Sequence, residues 1–561
     1  MKAMHVLSAA EMQACDRAAT ERFGIPSIEL MRAASSAVAA FAREQFPHAH
    51  RVTVLCGRGN NGGDGMMAAR LLAKAGLDVT TLLIGSAAMP EGDAAVAWNE
   101  LIQPMHGRVH VVTAAEDLAK YCGALDADLL VDALLGTGFK PPAKELLGAA
   151  IEWARAGKAQ VLAVDLPSGW PADETSATAS GPVLPADAVI TFTAPKPAHV
   201  FGALTRRWDQ PVVVAPIGSP EAAIASTLNI EWAGSSLALA QTPRAAAANK
   251  GSFGHVLVVG GAFGAAGGKA GAPAMTALAA LRAGAGLVTA AVPESALPVV
   301  ASFAAELMTW PLAATATGQI AANHLEAKQI SALIEGKSVL AIGPGLGQSA
   351  ETVKFATGLL AATTMPAVID ADALNILAAK PVLLAKLAKG RTLVLTPHPG
   401  EMARLTGTTV AEVQTNRLQT ARSFARRCGV TLVLKGARTL IAHPDGRVAV
   451  NTSGNPGMAK GGSGDVLTGL IAGLLAQYPE DPARAVEAAV YLHGIAADLA
   501  VRETDEHTLL ATDSLAFLAG AFRSERHRID VGGRKGYVWL QGHCMQQTRS
   551  ECSRPIAHAS S

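Results

Sequence analysis

A chain of 561 residues exceeds a single domain of ~100–200 residues and calls for two to four. Half of it is hydrophobic, only 17% is charged and 55 residues are glycine, which excludes intrinsic disorder over most of the length. Forty-seven basic residues against 46 acidic leave a formal charge of +1, so no global field exists for neutralising nucleic-acid phosphates.

In chain order, the opening MKAMHVLSAAEMQACDRAA lacks a secretory apolar region, because Glu11, Asp16 and Arg17 arrive too early, and the chain reads as cytoplasmic. Short β-branched runs then alternate with alanine- and leucine-rich helical stretches, the pattern of α/β domains on mainly parallel sheets. The first series of predicted strands is Arg51–Cys56, Val79–Ile84, Leu129–Val131, Gln160–Val164, Ala188–Phe192 and Val212–Val214. Residues Gly218–Lys250 carry no strong strand signal, and a domain boundary is placed there. A second series runs through His255–Val259, Gly286–Val292, Ser338–Ile342, Ala367–Ile369, Thr392–Leu395 and Thr431–Leu434, and ends in a helical region. Within it, Leu307–Leu325 is uncharged, but Pro311, Gln319, Asn323 and His324 deny it the ~20 apolar residues of a membrane span. Residues 524–561 are polar and aperiodic, and are expected to be disordered or loosely attached. The expected organisation is therefore 1–220, 221–523 and a tail. The six cysteines show no CxxC spacing, so neither a zinc site nor a disulfide framework is indicated.

The strand Arg51–Cys56 runs directly into Gly57-Arg58-Gly59-Asn60-Asn61-Gly62-Gly63-Asp64-Gly65 and a helix. Gly57, Gly59 and Gly62 satisfy GxGxxG in the strand-turn-helix context, where a phosphate meets free N–H groups and the positive end of the helix dipole. The acidic residue that a dinucleotide dehydrogenase keeps about 20 residues further on is absent; Thr81–Ser86 reads TLLIGS. A tight turn packing helix on strand is the plain alternative, but two asparagines and an aspartate have no packing purpose there. Val131–Gly138 (VDALLGTG) and Val164–Gly169 (VDLPSG) place carboxylates and turns after two further strands, where capping is the commoner role of a lone Asp or Ser. Together Asp132, Ser168 and Asn61 offer hard oxygen donors suited to an alkali or alkaline-earth ion.

These strings, GRGNNGGDG, VDALLGTG and DLPSGW, together resemble the NAD(P)H-hydrate epimerase family over about residues 9–217. The resemblance implies a Rossmann-like three-layer sandwich whose loops Asn60, Asn61, Gly62, Gly63, Asp64 and Gly136, Thr137, Gly138, Phe139, Lys140 hold the phosphates and ribose of the substrate. It also implies potassium at Asn61, Asp132 and Ser168, and Asp165 near the hydrated nicotinamide, where a catalytic acid/base role in epimerisation is a further expectation. Related domains serve elsewhere as noncatalytic scaffolds, so fold alone does not establish activity.

The second half opens with VLVVGGAFGAAGGKAGAP, a near miss for a P-loop: Phe263 stands at the earlier glycine position and Ala270 follows Lys269, which rejects a Walker ATPase. A stronger signal is Asn455–Asp465 (NPGMAKGGSGD), leading into an apolar helix. Successive glycine N–H groups there form an anion nest, and Asp465 in the first turn can accept a hydroxyl proton while the nest holds a transferring phosphoryl group. A helix cap with a glycine linker is the alternative. With GPGLG (Gly343–Gly347), DADALN (Asp370–Asn375), TPHPGE (Thr396–Glu401) and KGART (Lys435–Thr439), the run resembles the ADP-dependent NAD(P)H-hydrate dehydratase family, ribokinase-like in fold, over about residues 228–520. The resemblance implies a second three-layer sandwich in which Ala272, Gly345 and His398 contact the hydrated dinucleotide. Lys435, Gly436, Ala437, Arg438, Thr439 and Gly464 would hold ADP, Asp465 would be the catalytic base, and Mg²⁺ would assist. Glu401 takes the place of a magnesium-organising glutamate, with His398 where an asparagine is usual. The two resemblances imply a bifunctional, homo-oligomeric repair enzyme acting on small molecules. A vitamin or sugar kinase fused to a nucleotide-binding domain, and a noncatalytic nucleotide-binding scaffold, are the alternatives.

Overall fold

The computed structural model describes residues 3–86, 88–105, 107–143, 145–265, 267–322, 326–524 and 536–542. They form two units: residues 7–225 with 536–542, and residues 3–6 with 226–524.

The first unit is built on β1 (Arg51–Cys56), β2 (Asp78–Ile84), β3 (Val109–Val112), β4 (Leu129–Ala133), β5 (Gln160–Val164), β6 (Ala188–Phe192) and β7 (Val212–Ala215). Strands β4, β6 and β7 are buried at every residue, as strands of a parallel sheet covered on both faces must be. The order β7-β6-β5-β4-β1-β2-β3 is parallel throughout, the Rossmann-like arrangement. The chain steps outward from β1 to β3 and then returns to the other side of β1 with β4. Loops after β1 and β4 therefore leave in opposite directions and open a crevice between them. The helix Asn60–Lys74 starts so close to β1 that a Cβ on Gly62 would lie 1.8 Å from the Gly57 carbonyl oxygen, so only glycine fits.

In the second unit, β8 (Ile230–Trp232) and β9 (His255–Val259) are followed by a short hairpin, β10 (Phe263–Gly264) and β11 (Gly267–Gly268). Then come β12 (Leu287–Pro293), β13 (Met308–Leu312), β14 (Val339–Ile342), β15 (Ala367–Ile369), β16 (Leu393–Leu395), β17 (Thr431–Leu434), β18 (Leu440–Ala442) and β19 (Val448–Val450). The ten-stranded order is β13-β12-β9-β14-β15-β16-β17-β18-β19-β8, parallel from β13 to β17. Its reversal falls between β9 and β14, so the loops after these two strands border the second crevice.

Both units are the α/β sandwiches expected, and every predicted strand is present. The stretch 218–250, read as strandless, contains β8, whose three residues are too few to signal and are held by pairing with β19 and bridging to His5. The first residues of the chain belong with it: the Val6 N–H donates to the Ile230 carbonyl at 2.9 Å and the Trp232 N–H to that of Met4 at 3.0 Å. The contact boundary accordingly lies between 225 and 226, against 220/221 expected.

The expected disorder of 524–561 is corrected at residues 536–542, where β20 (Val538–Gln541) adds antiparallel to β7 as an eighth strand. Tyr537 and Trp539 set their ring edges against fully buried Phe41, with centroids 5.3 and 6.0 Å away. The Gln541 amide donates to Thr205 Oγ1 at 2.8 Å and to the Gln210 carbonyl at 3.0 Å. So short a strand has no periodicity of its own; the open edge of β7 and the aromatic contact specify it. The remainder of that stretch, 525–535 and 543–561, lies outside the described residues. Among the described residues, no helix is long and apolar enough to cross a membrane.

Ending the chain at residue 535 uncovers the β7 edge and the Phe41 ring. Thermal unfolding of that variant should show an earlier transition for the first unit, and Trp539→Ala alone should cost about 1–3 kcal/mol in urea titrations.

Candidate active sites

In the first unit the loops after β1, β4 and β5 meet. Gly136 backs onto Asn61 so closely that a Cβ there would stand 2.9 Å from the amide carbon. Both amide atoms of Asn61 are buried and have no hydrogen-bond partner in the protein. Leaving such a group unsatisfied costs about 1–3 kcal/mol, so the position is prepared for a ligand. Asp132, fully buried at the end of β4, accepts the Ser168 N–H at 2.8 Å and the Ser168 hydroxyl at 2.5 Å, while the Leu135 N–H donates to Ser168 Oγ at 2.9 Å. Burial pushes Asp132 up to about 6, against the pull of those hydrogen bonds. Asp132 and Ser168 are thus in contact, and Asn61 is held on the same rim by Gly136.

Asp165 follows β5 with φ +66°, a left-handed conformation uncommon for a non-glycine residue. One carboxylate oxygen accepts from Lys196 Nζ at 2.9 Å and Thr191 Oγ1 at 2.8 Å, and the other from the N–H of Thr137 at 2.8 Å and from its hydroxyl. Burial opposes its ionisation, yet Lys196, His199 and these hydrogen bonds hold the carboxyl below the usual range. Asp64, in the second turn of its helix, is driven the other way by burial and by the charges of Asp165, Asp16 and Asp93. Asn60, Gly138 and Lys140 are exposed, and Phe139 turns its loop by donating its N–H to the Gly136 carbonyl at 2.9 Å. Gly62 and Gly63 are buried in the first helical turn. Lys196, Thr191 and His199 escaped sequence reasoning. Their signal was the string TFTAPKPAH at the end of β6, a lysine between prolines at the same sheet edge as the glycine loops.

In the second unit a cleft of 510 Å³ gathers Ala272, Gly345, His398, Glu401 and Asp465. Lys435–Thr439 and Gly464 do not line it, although Gly464 lies against Lys435: a Cβ there would be 3.2 Å from Nζ, so glycine keeps the ammonium at the mouth of the nest. Lys435 donates to Asp370 at 2.9 Å and stands 3.9 Å from Glu401. Asp370 also accepts from Thr396 at 2.8 Å and Thr468 at 3.0 Å. Burial works against the Lys435 charge, but Asp370, Glu401 and Asp465 outweigh it and raise its pKa. Burial and the Asp370 charge push Asp465 up to about 7, with Lys435 opposing. The KGART loop is steadied by Thr439, whose hydroxyl donates to the Gly436 carbonyl at 2.9 Å, and by Arg417, which donates to the carbonyls of Leu434 and Ala437.

His398 has a local task that accounts for a histidine there. Its Nδ1 accepts the Gly400 N–H at 3.0 Å at the start of the helix Pro399–Thr406, and Glu401 reciprocally accepts the His398 N–H at 2.9 Å. Burial raises the Glu401 pKa, and Lys435 restrains the rise. Sequence reasoning quoted Asp370 and Asp372 without a role. Asp370 anchors Lys435, and Asp372 fastens the GPGLG loop by accepting the Gly347 N–H at 2.9 Å.

Comparison with known proteins follows the same division. The profile of the NAD(P)H-hydrate dehydratase family matches residues 256–517, and that of the YjeF-related protein N-terminus matches residues 27–198. Over 541 residues the chain is 41% identical to the bifunctional NAD(P)H-hydrate repair enzyme Nnr of Moorella thermoacetica, an alignment covering 94% of this chain and 98% of that one. The enzyme of the same name from Coxiella burnetii is 37% identical over 507 residues, 90% of this chain and 96% of its own. A solved ADP/ATP-dependent NAD(P)H-hydrate dehydratase from Bacillus subtilis, co-crystallised with ATP/Mg²⁺, is 33% identical with a TM-score of 0.42, and covers 51% of this chain and 96% of that one. Identity of this extent across both units shows that the chain belongs to the family of bifunctional NAD(P)H-hydrate repair enzymes.

Proposed function

We propose that the chain repairs hydrated nicotinamide dinucleotides. The first unit interconverts the R and S forms of NAD(P)H-hydrate, and the second dehydrates the S form to NAD(P)H at the expense of ADP, giving AMP and phosphate. The observation that carries this reading is the second cleft, where Ala272, Gly345 and His398 share one cavity with a carboxyl pushed up to about 7. A base whose pKa lies near the working pH is the effective kind.

Asp465 takes the proton of the C6 hydroxyl, and the freed oxygen attacks the β-phosphorus of ADP as AMP departs. The N1 lone pair then expels phosphate from C6, and loss of a C5 proton restores the dihydronicotinamide. Lys435 and the glycine N–H groups at the start of the helix Ser463–Gln477 meet the negative charge of the transferring group. Glu401, a cleft carboxylate raised by burial, suits a divalent cation, and Mg²⁺ held there would neutralise phosphate charge. In the first unit, the unpartnered amide of Asn61 and the buried oxygens of Asp132 and Ser168 suit potassium, which would supply a fixed positive charge beside the phosphate loops.

A mixture of hydrate epimers with ADP and Mg²⁺ should regain the near-ultraviolet absorbance of the dihydronicotinamide with release of AMP. A stable phosphorylated product would instead indicate a kinase, and binding without turnover a scaffold. Asp465→Asn should lower the rate of dehydration by about 10²–10⁴-fold. In the unaltered chain, the rate of dehydration should rise with pH through about 7 and level off above it, because the base works only when ionised. Exchange of potassium for tetramethylammonium, like Asn61→Ala, should slow epimer exchange by at least about 10-fold while dehydration of pure S epimer continues.

A further inference from the structure

Lys196 lies outside every glycine loop, yet it is only 2% exposed. Its Nζ donates to Asp165 Oδ1 at 2.9 Å and to Thr191 Oγ1 at 2.8 Å, and the Thr191 hydroxyl donates to the same Asp165 oxygen at 2.8 Å, closing a triangle. The Thr137 N–H and hydroxyl occupy the other oxygen. Four donors converging on one carboxyl is the arrangement of an ionised group. The backbone is held as firmly. His199 Nδ1 accepts the Lys196 N–H at 3.0 Å, which leaves Nε2 to donate to the Asp165 carbonyl at 2.7 Å. That contact helps fix the φ of +66°, a strained conformation that persists only where surroundings over-determine it.

A buried ion pair is weak evidence for stability, because an apolar pair of similar volume is often as good. Nor is this pair isolated. Asp16 and Cys15 face Lys196 from the helix Ala9–Glu21, Asp64 from the helix Asn60–Lys74, and His199 from the helix Pro197–Phe201. Three carboxyls, Asp165, Asp16 and Asp64, thus surround one ammonium, which contacts Asp165 alone among them.

Resting on the reading that this unit epimerises NAD(P)H-hydrate, we propose that Lys196 is a positioning residue of that reaction, holding Asp165 ionised and in place so that the C6 carbinol meets a fixed negative charge. In the step this serves, a solvent proton joins the C6 hydroxyl. The C6–O bond breaks with its electron pair leaving as water, while the N1 lone pair forms the C6=N1 bond. Water then adds to the opposite face and releases the proton. The transient cation is stabilised by the Asp165 carboxylate. A carboxyl held below the usual range exchanges protons poorly at neutral pH, so Asp165 acts here by its charge rather than as the acid/base expected from the sequence.

The test follows epimer exchange without ADP in the full chain, resolving R and S NADH-hydrate by chromatography between about pH 4 and about pH 9 and subtracting the spontaneous rate. The unaltered chain should exceed that rate with no acidic limb above about pH 4. Lys196→Met should lose about 100-fold at neutral pH and gain an acidic limb, its rate falling further as pH drops through about 5–7, because Asp165 without its cation becomes protonated. Lys196→Arg should recover most of the rate and remove the limb. Dehydration of S epimer by the same preparations should be unchanged. A folded Lys196→Met with the pH profile of the unaltered chain overturns the proposal, as does Lys196→Arg no better than Lys196→Met. Should Lys196→Met fail to fold, Thr191→Val decides: a smaller loss with the same new limb supports the proposal, and an unaltered profile overturns it. Failure of the epimerase reading looks different, since the unaltered chain itself would then not exceed the spontaneous rate.

Discussion

Each unit depends on the same constraint, the reversal of strand order in a parallel sheet. Beside β1 in one sheet and β9 in the other, successive connections leave in opposite directions and cannot close over one another. The glycine loops after β1 and β4, and after β9 and β14, border those two gaps. Helix N-termini and free backbone N–H groups end there as well, which is why anionic ligands can be met with little formal charge. A chain with one net charge in 561 residues handles phosphates locally.

Upon that frame, each site adds a carboxylate paired with a lysine, buried in the first unit and half-buried in the second, and the two pairs are used differently. Lys196 bonds the candidate catalytic Asp165 itself, so the carboxyl stays ionised. Lys435 bonds Asp370 instead, which leaves Asp465 facing burial and a neighbouring negative charge and pushes it up to about 7. The first arrangement suits a standing charge, and the second a base that must take and give up a proton near neutrality. Threonines complete both: Thr191 and Thr137 around Asp165, Thr396 and Thr468 around Asp370. The protonation behaviour is opposite because Lys196, His199 and the hydrogen bonds outweigh burial at Asp165, whereas at Asp465 burial and the Asp370 charge outweigh Lys435.

Local chemistry also reconciles two apparent departures. His398, where an asparagine was the expectation, works as the cap of the helix carrying Glu401 and still lines the cleft. The polar C-terminal stretch, unpromising by composition, contributes β20, because an unpaired edge supplies the hydrogen bonds and Phe41 the apolar contact that the segment lacks alone.

The sequence by itself determined the α/β class, twelve of the strands and the glycine loops that follow them, while β3 (Val109–Val112) and β13 (Met308–Leu312) went unread. Those features are local: β-branched runs of three to seven residues, glycines where backbone must approach backbone, and carboxylates at strand ends. Asn61, Asp132, Ser168 and Asp465 could be named from such runs, and Asp165, Ala272, Gly345 and His398 follow from the family resemblance. What only the tertiary structure decided is which of them meet and in what state of charge. Lys196 lies 31 residues from Asp165, and Asp370 lies 65 from Lys435, so neither pairing has a local signature. Short strands such as β8 and β20 exist because a partner edge is available. Burial, the largest influence on Asp465, is a property of the assembled sandwich and is absent from any window of sequence.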